Sequence, residues 1–427
     1  MFKKYIEKPY FLPLLVVLFL GFLLRWTVLV KYGVDLNIVS DDLGYQTSAK
    51  NLLESGMLTY HNADQPTIHI MPGQSFLLAA IFGIFGKAKL GLFVAKMTMI
   101  SFGVLSIYMT FRIGKYIFNP TVGLIGAFLL AIYPPEIVID NLTLTESPFL
   151  FLSLALLYWS LKLADSHSMK DFLLLLLFYF LALFFRVQIA IYPIFLFGYL
   201  LIKRYPFKIM MKQLLVSIVA LFLVLGPWWV RNYIQFDKFI PLTAGSGNPL
   251  LLGTYQGEGY PGGKSIEEIE KEIFSEYPDI QAHQWMEMEQ KIAVERMKTW
   301  WETDKTSMLK SYLLLKPQIF WDTPYYYPYH QISIFGIDGK DMRVIYDYIK
   351  VIFLVCTIIT FLLAPSKWRE CTFLLALIVL QTYFNTLYFA YNRYALPLMP
   401  FLFIMIGMGI TTSFMAIRNI GKNVLSK

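Results

Sequence analysis

The sequence predicts an all-α polytopic membrane protein, a bundle of about ten transmembrane helices with two long extracytoplasmic loop regions. Three observations predict it. Of 427 residues, 57% are hydrophobic, 17% aromatic and only 15% charged, where soluble domains are about a quarter charged. Apolar runs of about 20 residues, enough to cross a bilayer core, recur along the chain. Lys and Arg gather in alternate short connections. Backbone in lipid must satisfy its own hydrogen bonds, so these runs form helices.

The runs fall at 10–30, 89–111, 120–138, 147–163, 171–186, 188–203, 210–230, 346–364, 371–389 and 394–416. The first is too long for a signal-peptide core and lacks a small-residue cleavage site, so it reads as a retained helix. Almost no loop separates the fifth run from the sixth, around Phe185-Arg186. Gln74–Phe85 is apolar but short, and reads as a helix at the interface.

Orientation follows from the basic connections. Lys3, Lys4 and Lys8 precede the first run, Arg112 and Lys115 follow the second, and Lys162 and Lys170 follow the fourth. Lys203, Arg204, Lys208 and Lys212 precede the seventh, Lys367 and Arg369 the ninth, and Arg418, Lys422 and Lys427 close the chain. Both termini are then cytoplasmic. Segments 31–72 and 235–345 lie outside, with net charges of −3 and −5. The chain as a whole carries +8, leaving +16 for the helices and inner connections. The basic excess is thus a topology signal and an attraction for anionic lipid, not a nucleic-acid patch.

Three regions follow: an N-terminal transmembrane core with the first outer loop (1–234), an extracytoplasmic helical region (235–345) and C-terminal transmembrane helices (346–427). In the outer region Ser265-Ile266-Glu267-Glu268 is a helix start with acids in the first turn. Gln281–Trp301 and Thr306–Leu315 also read as helical, and Trp321–Tyr327 as an aromatic belt. Cys356 and Cys371 fall in or beside apolar runs and read as apolar filling.

Asp41 and Asp42 carry the most chemical information. They stand in Ser40-Asp41-Asp42-Leu43-Gly44-Tyr45, just beyond the first run, where packing gives little reason for two acids. A transferase using a lipid-phosphate sugar needs a site at the membrane surface, donors that neutralise the leaving phosphate, and a carboxylate to take the acceptor's proton. Asp41 is the candidate base. Asp42 would orient the acceptor, share a divalent cation (Mg or Mn) with Asp41, or shift its partner's pKa by repulsion. The structural alternative is a helix start, with Ser40 or Asp41 capping a helix over Leu43–Leu53.

His69, where the outer loop returns to the membrane, is a candidate for phosphate or sugar contact. Lys96, Arg186, Arg231 and Arg393 lie in or near predicted helices, where a charge is costly and defaults to a functional reading. The last three share the face of Asp41 and are candidates for donor phosphate. Snorkelling to headgroups is their alternative. Glu146 starts the fourth run, where a helix N-terminus favours an acid, and is a candidate second acid at the site. Asn141-Leu142-Thr143 matches a glycosylation sequon, a pattern frequent by chance. No phosphate-cradling glycine loop, HExxH or cysteine metal motif occurs.

These motifs, in this order, resemble the GT-C-type glycosyltransferases of the bacterial protein-mannosyltransferase and aminoarabinose-transferase group (glycosyltransferase family 39-like). Asp41-Asp42-Leu43-Gly44-Tyr45 is similar to that group's acidic pair and tyrosine. Pro66–Gly73 with Ala79–Gly86, Tyr133-Pro134-Pro135 through Glu146, Pro227–Tyr233 with Leu250–Gly253, and Asn392–Pro397 carry the rest of the likeness. The resemblance implies that Asp41 is the catalytic acid, that Tyr45 and Glu146 meet substrate, and that a polyprenyl-phosphate sugar is transferred with inversion. Some relatives carry an arginine where this chain has Gly44 and a lysine where it has Ile70. His69, Arg186, Arg231 or a metal ion would then replace them at the phosphate.

The reading is an inverting membrane glycosyltransferase serving a lipid, cell-wall polymer, polysaccharide or protein acceptor. Its rivals are a flippase or transporter of lipid-linked saccharide, marked by inverted repeats and broken helices, and a polysaccharide polymerase, in which outer-loop arginines would matter more than Asp41.

Overall fold

The computed structural model describes residues 8–322, 332, 334–337 and 339–425. The N-terminal part comprises α1 (Lys8–Tyr32), α2 (Asp41–Ser55), α3 (Gly73–Phe85), α4 (Lys89–Ile117), α5 (Pro120–Ile132), α6 (Pro134–Ile139), α7 (Glu146–Ser166), α8 (Met169–Phe185), α9 (Tyr192–Ile202) and α10 (Phe207–Phe236). The stretch 235–345 carries α11 (Gly247–Gly253), α12 (Ile266–Glu276), α13 (Ala282–Thr303), α14 (Lys305–Lys310) and α15 (Lys316–Phe320), and the last helices are α16 (Gly339–Leu363), α17 (Trp368–Leu387) and α18 (Met399–Leu425). Among the described residues there is no strand, only an isolated bridge between Ile334 and Ile337.

Among the described residues seven helical segments are long and apolar enough to cross a membrane: those built on α1, α4, α7, α10, α16, α17 and α18. The remaining three expected runs are α5, α8 and α9, each shorter. The protein is an integral membrane protein of the predicted class. Several helices run a few residues past the expected bounds, as α10 and α16 do, and prolines account for two further differences. Run 120–138 breaks because Tyr133, ahead of Pro134, is extended at φ −72, ψ 110. It becomes α5, opened by the Asn119 side chain accepting from the Val122 N–H at 2.9 Å, and the short α6. The tenth run starts as a 3-10 turn, Asn392–Leu398, around Pro397 before α18 takes over.

α7 is the central helix and is mostly buried, whereas α10 and α16 show most of their surface outward. α7 packs on α4 and α8, α4 on α5, and α18 on α5 and α16. Arg25 of α1, at 1% exposure, donates to Asp140 at 2.6 Å and to the Gly21 and Ala131 carbonyls. A buried charge needs such a partner, and this one ties α1 to the chain between α6 and α7. At one end of the bundle Lys203 pairs with Asp165 at 2.8 Å and Glu370 at 3.0 Å. Glu146 begins α7 at the other end.

Helices α11 to α15 cap that second end. Ser265 and Glu268 form a full capping box at the start of α12, as the acidic first turn predicts. Leu250, Leu251, Ile269, Ile273 and Ala293 make a small core between α11, α12 and α13. Gln256 exchanges two hydrogen bonds with Ala390, and Trp321 Nε1 donates to Thr382 at 3.0 Å, fastening the cap to the end of α17. Of the expected aromatic belt, Trp321 and Asp322 are described; 323–327 lie outside the described residues.

Candidate active site

The segment 33–40 turns the chain from α1 into α2, and two buried polar groups shape it. Lys96 of α4, 1% exposed, donates to the Leu36 carbonyl at 2.6 Å and the Asn141 carbonyl at 2.7 Å. It staples the turn before α2 to the loop before α7. Asp42, also 1% exposed, accepts from the backbone N–H groups of Ile38 (2.8 Å), Ser40 (3.2 Å) and Leu43 (3.0 Å). The expected cap by Ser40 or Asp41 does not form: Ser40 makes no capping hydrogen bond, and Asp42 closes the turn instead. Val39 sits at φ +53, strained for a β-branched residue. Gln46 then donates to Thr143 at 2.9 Å, and Gln74 to the Thr143 carbonyl at 2.9 Å, seating α2 and α3 on the loop before α7.

With Asp42 occupied, Asp41 faces the other way, into a cavity of about 450 Å³. Its Oδ2 is ion-paired with Arg393, and its Oδ1 accepts from the Tyr60 hydroxyl at 2.9 Å. Arg393 Nε lies 3.0 Å from Glu146 Oε1, and Arg186 Nη1 lies 3.0 Å from the same oxygen. Asp41, Arg393, Glu146 and Arg186 thus form one chain of alternating charge, drawn from α2, the 3-10 turn before α18, the start of α7 and the end of α8. Asp41 is 36% exposed while Glu146 is 3%, so Glu146 is a buried link, and Asp41, Arg393 and Arg186 are the members that line the cavity. Burial pushes the Asp41 carboxyl up, but Arg393, the Tyr60 hydroxyl and Arg186 outweigh it and hold it below the usual carboxylate range. Asp41 is therefore ionised at neutral pH.

The cavity is amphipathic. Asp41, Tyr45, Tyr60, Arg186, Gln188 and Asn385 give it a polar wall. Ile70, Met71, Phe185, Leu242, Phe384 and Phe389 give it an apolar one. Gln188 donates to Asn385 at 2.8 Å, joining the segment after α8 to α17. His69 lines the cavity, stacked on Tyr60 with ring centres 5.4 Å apart. Burial and the neighbouring His61 push its imidazole down to about 4, so it is neutral at pH 7. A Cβ at Gly245 would stand 2.3 Å from His69 Nδ1, so only glycine permits that approach.

The structure brings Asp41, Tyr45, His69, Glu146, Arg186 and Arg393 together. Arg231 stands apart: it donates to the Thr67 carbonyl at 2.8 Å and packs over Trp228 and Phe236, bracing the 66–72 return from behind. Asp42 likewise serves the turn rather than the cavity. The two carboxylates have separate partners: three N–H groups take up Asp42, while Asp41 meets Arg393 and Tyr60. Among the described residues no three of His, Cys, Asp and Glu gather as metal ligands. Tyr60 was not anticipated; nothing in its immediate sequence marks it.

The model of the dolichyl-phosphate-mannose-protein mannosyltransferase family matches residues 64–230. That stretch holds His69, Glu146 and Arg186, starts after Asp41 and ends one residue before Arg231. No curated protein sequence matches the chain. Among solved structures, it is similar to the oligosaccharyltransferase AglB of Archaeoglobus fulgidus in complex with an inhibitory peptide and a dolichol-phosphate, at 14% identity and TM-score 0.58, covering 100% of this chain and 52% of that one. The same enzyme tethered to an acceptor peptide matches at 13% identity and TM-score 0.52, over 97% and 50% of the two chains. A weaker likeness, at 13% identity and TM-score 0.44, is to ArnT of Cupriavidus metallidurans bound to undecaprenyl phosphate, over 94% and 77%. The bundle has the GT-C membrane-glycosyltransferase fold. The chain spans about half the length of the oligosaccharyltransferase it matches.

Proposed function

We propose that this protein transfers a sugar from a polyprenyl-phosphate donor to an acceptor hydroxyl, with inversion, at the outer face of the membrane. The observation that carries the reading is the ionised Asp41 on the wall of an amphipathic cavity, beside Arg393 and Arg186. The apolar wall suits the first part of a lipid tail and the polar wall suits a sugar phosphate. The similar oligosaccharyltransferase structures, one in complex with dolichol-phosphate and one tethered to an acceptor peptide, support the same pair of partners.

In this mechanism Asp41 takes the proton of the acceptor hydroxyl. The acceptor oxygen bonds to the anomeric carbon from the face opposite the phosphate, and the carbon–oxygen bond to phosphate breaks with its electron pair left on phosphate. Preorganised cations are worth most where that charge develops. Arg186 and Arg393 are placed to meet it, and Glu146 balances their charge until the donor arrives. Arg393 contacts Asp41 before the donor is bound; a phosphate that draws the guanidinium away frees a carboxylate oxygen for the acceptor. Tyr45, Gln188 and Asn385 line the space for the sugar. His69, neutral, offers hydrogen bonds rather than charge. No step runs through the acidic pair as a metal site. The outward orientation rests on the distribution of Lys and Arg, and the acceptor stays general: lipid, polymer, polysaccharide or protein.

The test is purified protein with a panel of polyprenyl-phosphate sugars and acceptors, with and without divalent cations, followed by mass spectrometry of free polyprenyl phosphate. Acceptor-dependent release supports the transferase. Movement of intact lipid-linked sugar across a bilayer, without release from any donor, overturns it.

A further inference from the structure

Tyr60 lies in the loop between α2 and α3, 19 residues beyond Asp41. Its hydroxyl donates to Asp41 Oδ1 at 2.9 Å, leaving Oδ2 to Arg393. The ring is fixed on three sides. It packs on Tyr45 with centres 5.5 Å apart and stacks on His69 at 5.4 Å. Its third contact is Gly44, where a Cβ would stand 2.9 Å from the ring and 3.3 Å from the hydroxyl. The loop that carries it is itself tied down: Asn51 donates to Thr59 at 2.8 Å, and the Thr67 N–H to the Leu58 carbonyl at 2.8 Å.

We propose that Tyr60 is the positioning residue for Asp41, its hydroxyl fixing the rotation of the carboxylate, and that Gly44 is the seat that lets its ring lie there. The inference rests on Asp41 acting as the acceptor's base. Arg393 has a second claim on it once a donor phosphate is present; Tyr60 is a neutral partner with none, so it keeps the carboxylate aimed through the reaction. The other titratable groups facing Asp41 are Tyr45 on its own helix, His61 and His69 on the return, Glu146 on α7, Arg186 after α8 and Arg393 before α18.

The hydrogen bond also favours the ionised carboxylate. Its loss moves Asp41 toward higher pKa, a signature that loose packing alone does not give. The experiment compares wild type, Tyr60→Phe and Gly44→Ala by infrared pH titration of the Asp41 carboxyl, identified by its absence in Asp41→Asn, and by transfer rate against pH. Both variants should titrate at higher pH than wild type. The wild-type to variant rate ratio should grow as pH falls, reaching about tenfold, the equivalent of one charged hydrogen bond. Phe fills the ring's volume without the hydroxyl. Should Tyr60→Phe unfold, Gly44→Ala, which displaces the ring and leaves the hydroxyl in the chain, decides alone. An unchanged titration, or a rate ratio flat with pH, overturns the proposal. The infrared readout needs no turnover, so a wild type that transfers nothing sinks the transferase reading separately from the hold of Tyr60 on Asp41.

Discussion

Glu146→Gln tests the charge chain at its buried link. One oxygen, Oε1, faces Arg186 Nη1 and Arg393 Nε at 3.0 Å each, and the three side chains are 3%, 10% and 7% exposed. At an effective dielectric of about 20, unit charges that close attract by about 5 kcal/mol. Desolvation returns part of this, and removing one member of a buried pair costs about 3–5 kcal/mol. Glutamine keeps the shape and one oxygen as an acceptor, so a loss of about 3 kcal/mol in unfolding free energy is expected. The ligand effects go in two directions. With Glu146 neutral the cavity gains a net positive charge, so polyprenyl phosphate should bind more tightly. The arginines are then no longer held apart for the transition state, and kcat should fall. Unfolding in detergent and titration with polyprenyl phosphate measure the two. Unchanged stability together with weaker phosphate binding would refute the reasoning, because it would make Glu146 a ligand rather than the balance for two cations.

Lys96→Met should cost about 2–3 kcal/mol, the price of leaving the Leu36 and Asn141 carbonyls without their buried donor. Transfer should fall with no change in its pH profile, since Lys96 acts on Asp41 only through the turn before α2; a shifted profile would contradict this. His69 gives a pH dependence of stability with a definite sign. Its imidazole is held down from 6.5 to about 4 by burial, so between those values the folded state binds fewer protons than the unfolded chain. The stability this contributes is full above 6.5 and is lost as pH falls toward about 4. In His69→Gln that part disappears, so the stability of wild type relative to the variant should decline across the window when unfolding is followed at each pH. A flat difference would show that the imidazole is not held neutral.

Much of the bundle is legible in the sequence because lipid leaves the backbone so few choices. Each of the ten apolar runs is helical, one of them broken into α5 and α6, and the buried Arg25 of α1 finds a partner in Asp140. The break at Tyr133 is not in the reading of 120–138 as one run, because apolarity alone hides the demand of Pro134 on its predecessor. The site is legible in part. Asp41, Glu146, Arg186 and Arg393 are each visible as charges near one membrane face. Their order in the chain of ion pairs is not, because Asp41 and Arg393 are joined across 352 positions. Asp42 misleads for a local reason: neighbouring residues on a helix point about 100° apart, so an acidic pair at a helix start can serve two places. Arg231 misleads similarly, since the end of α10 meets the 66–72 return rather than the cavity. Tyr60 is invisible because its role depends on what Gly44 lacks.

The most direct test of the central claim is acceptor-dependent release of polyprenyl phosphate by wild type and Asp41→Asn with the best donor found. Asparagine keeps the size and the hydrogen bond to Tyr60 but cannot take a proton. General-base catalysis is worth about 10²–10⁴-fold, so the rate should fall by at least two orders of magnitude while polyprenyl phosphate still binds. Release at more than about a tenth of the wild-type rate, well above what loss of a base allows, would contradict Asp41 as the base and remove the basis of the mechanism.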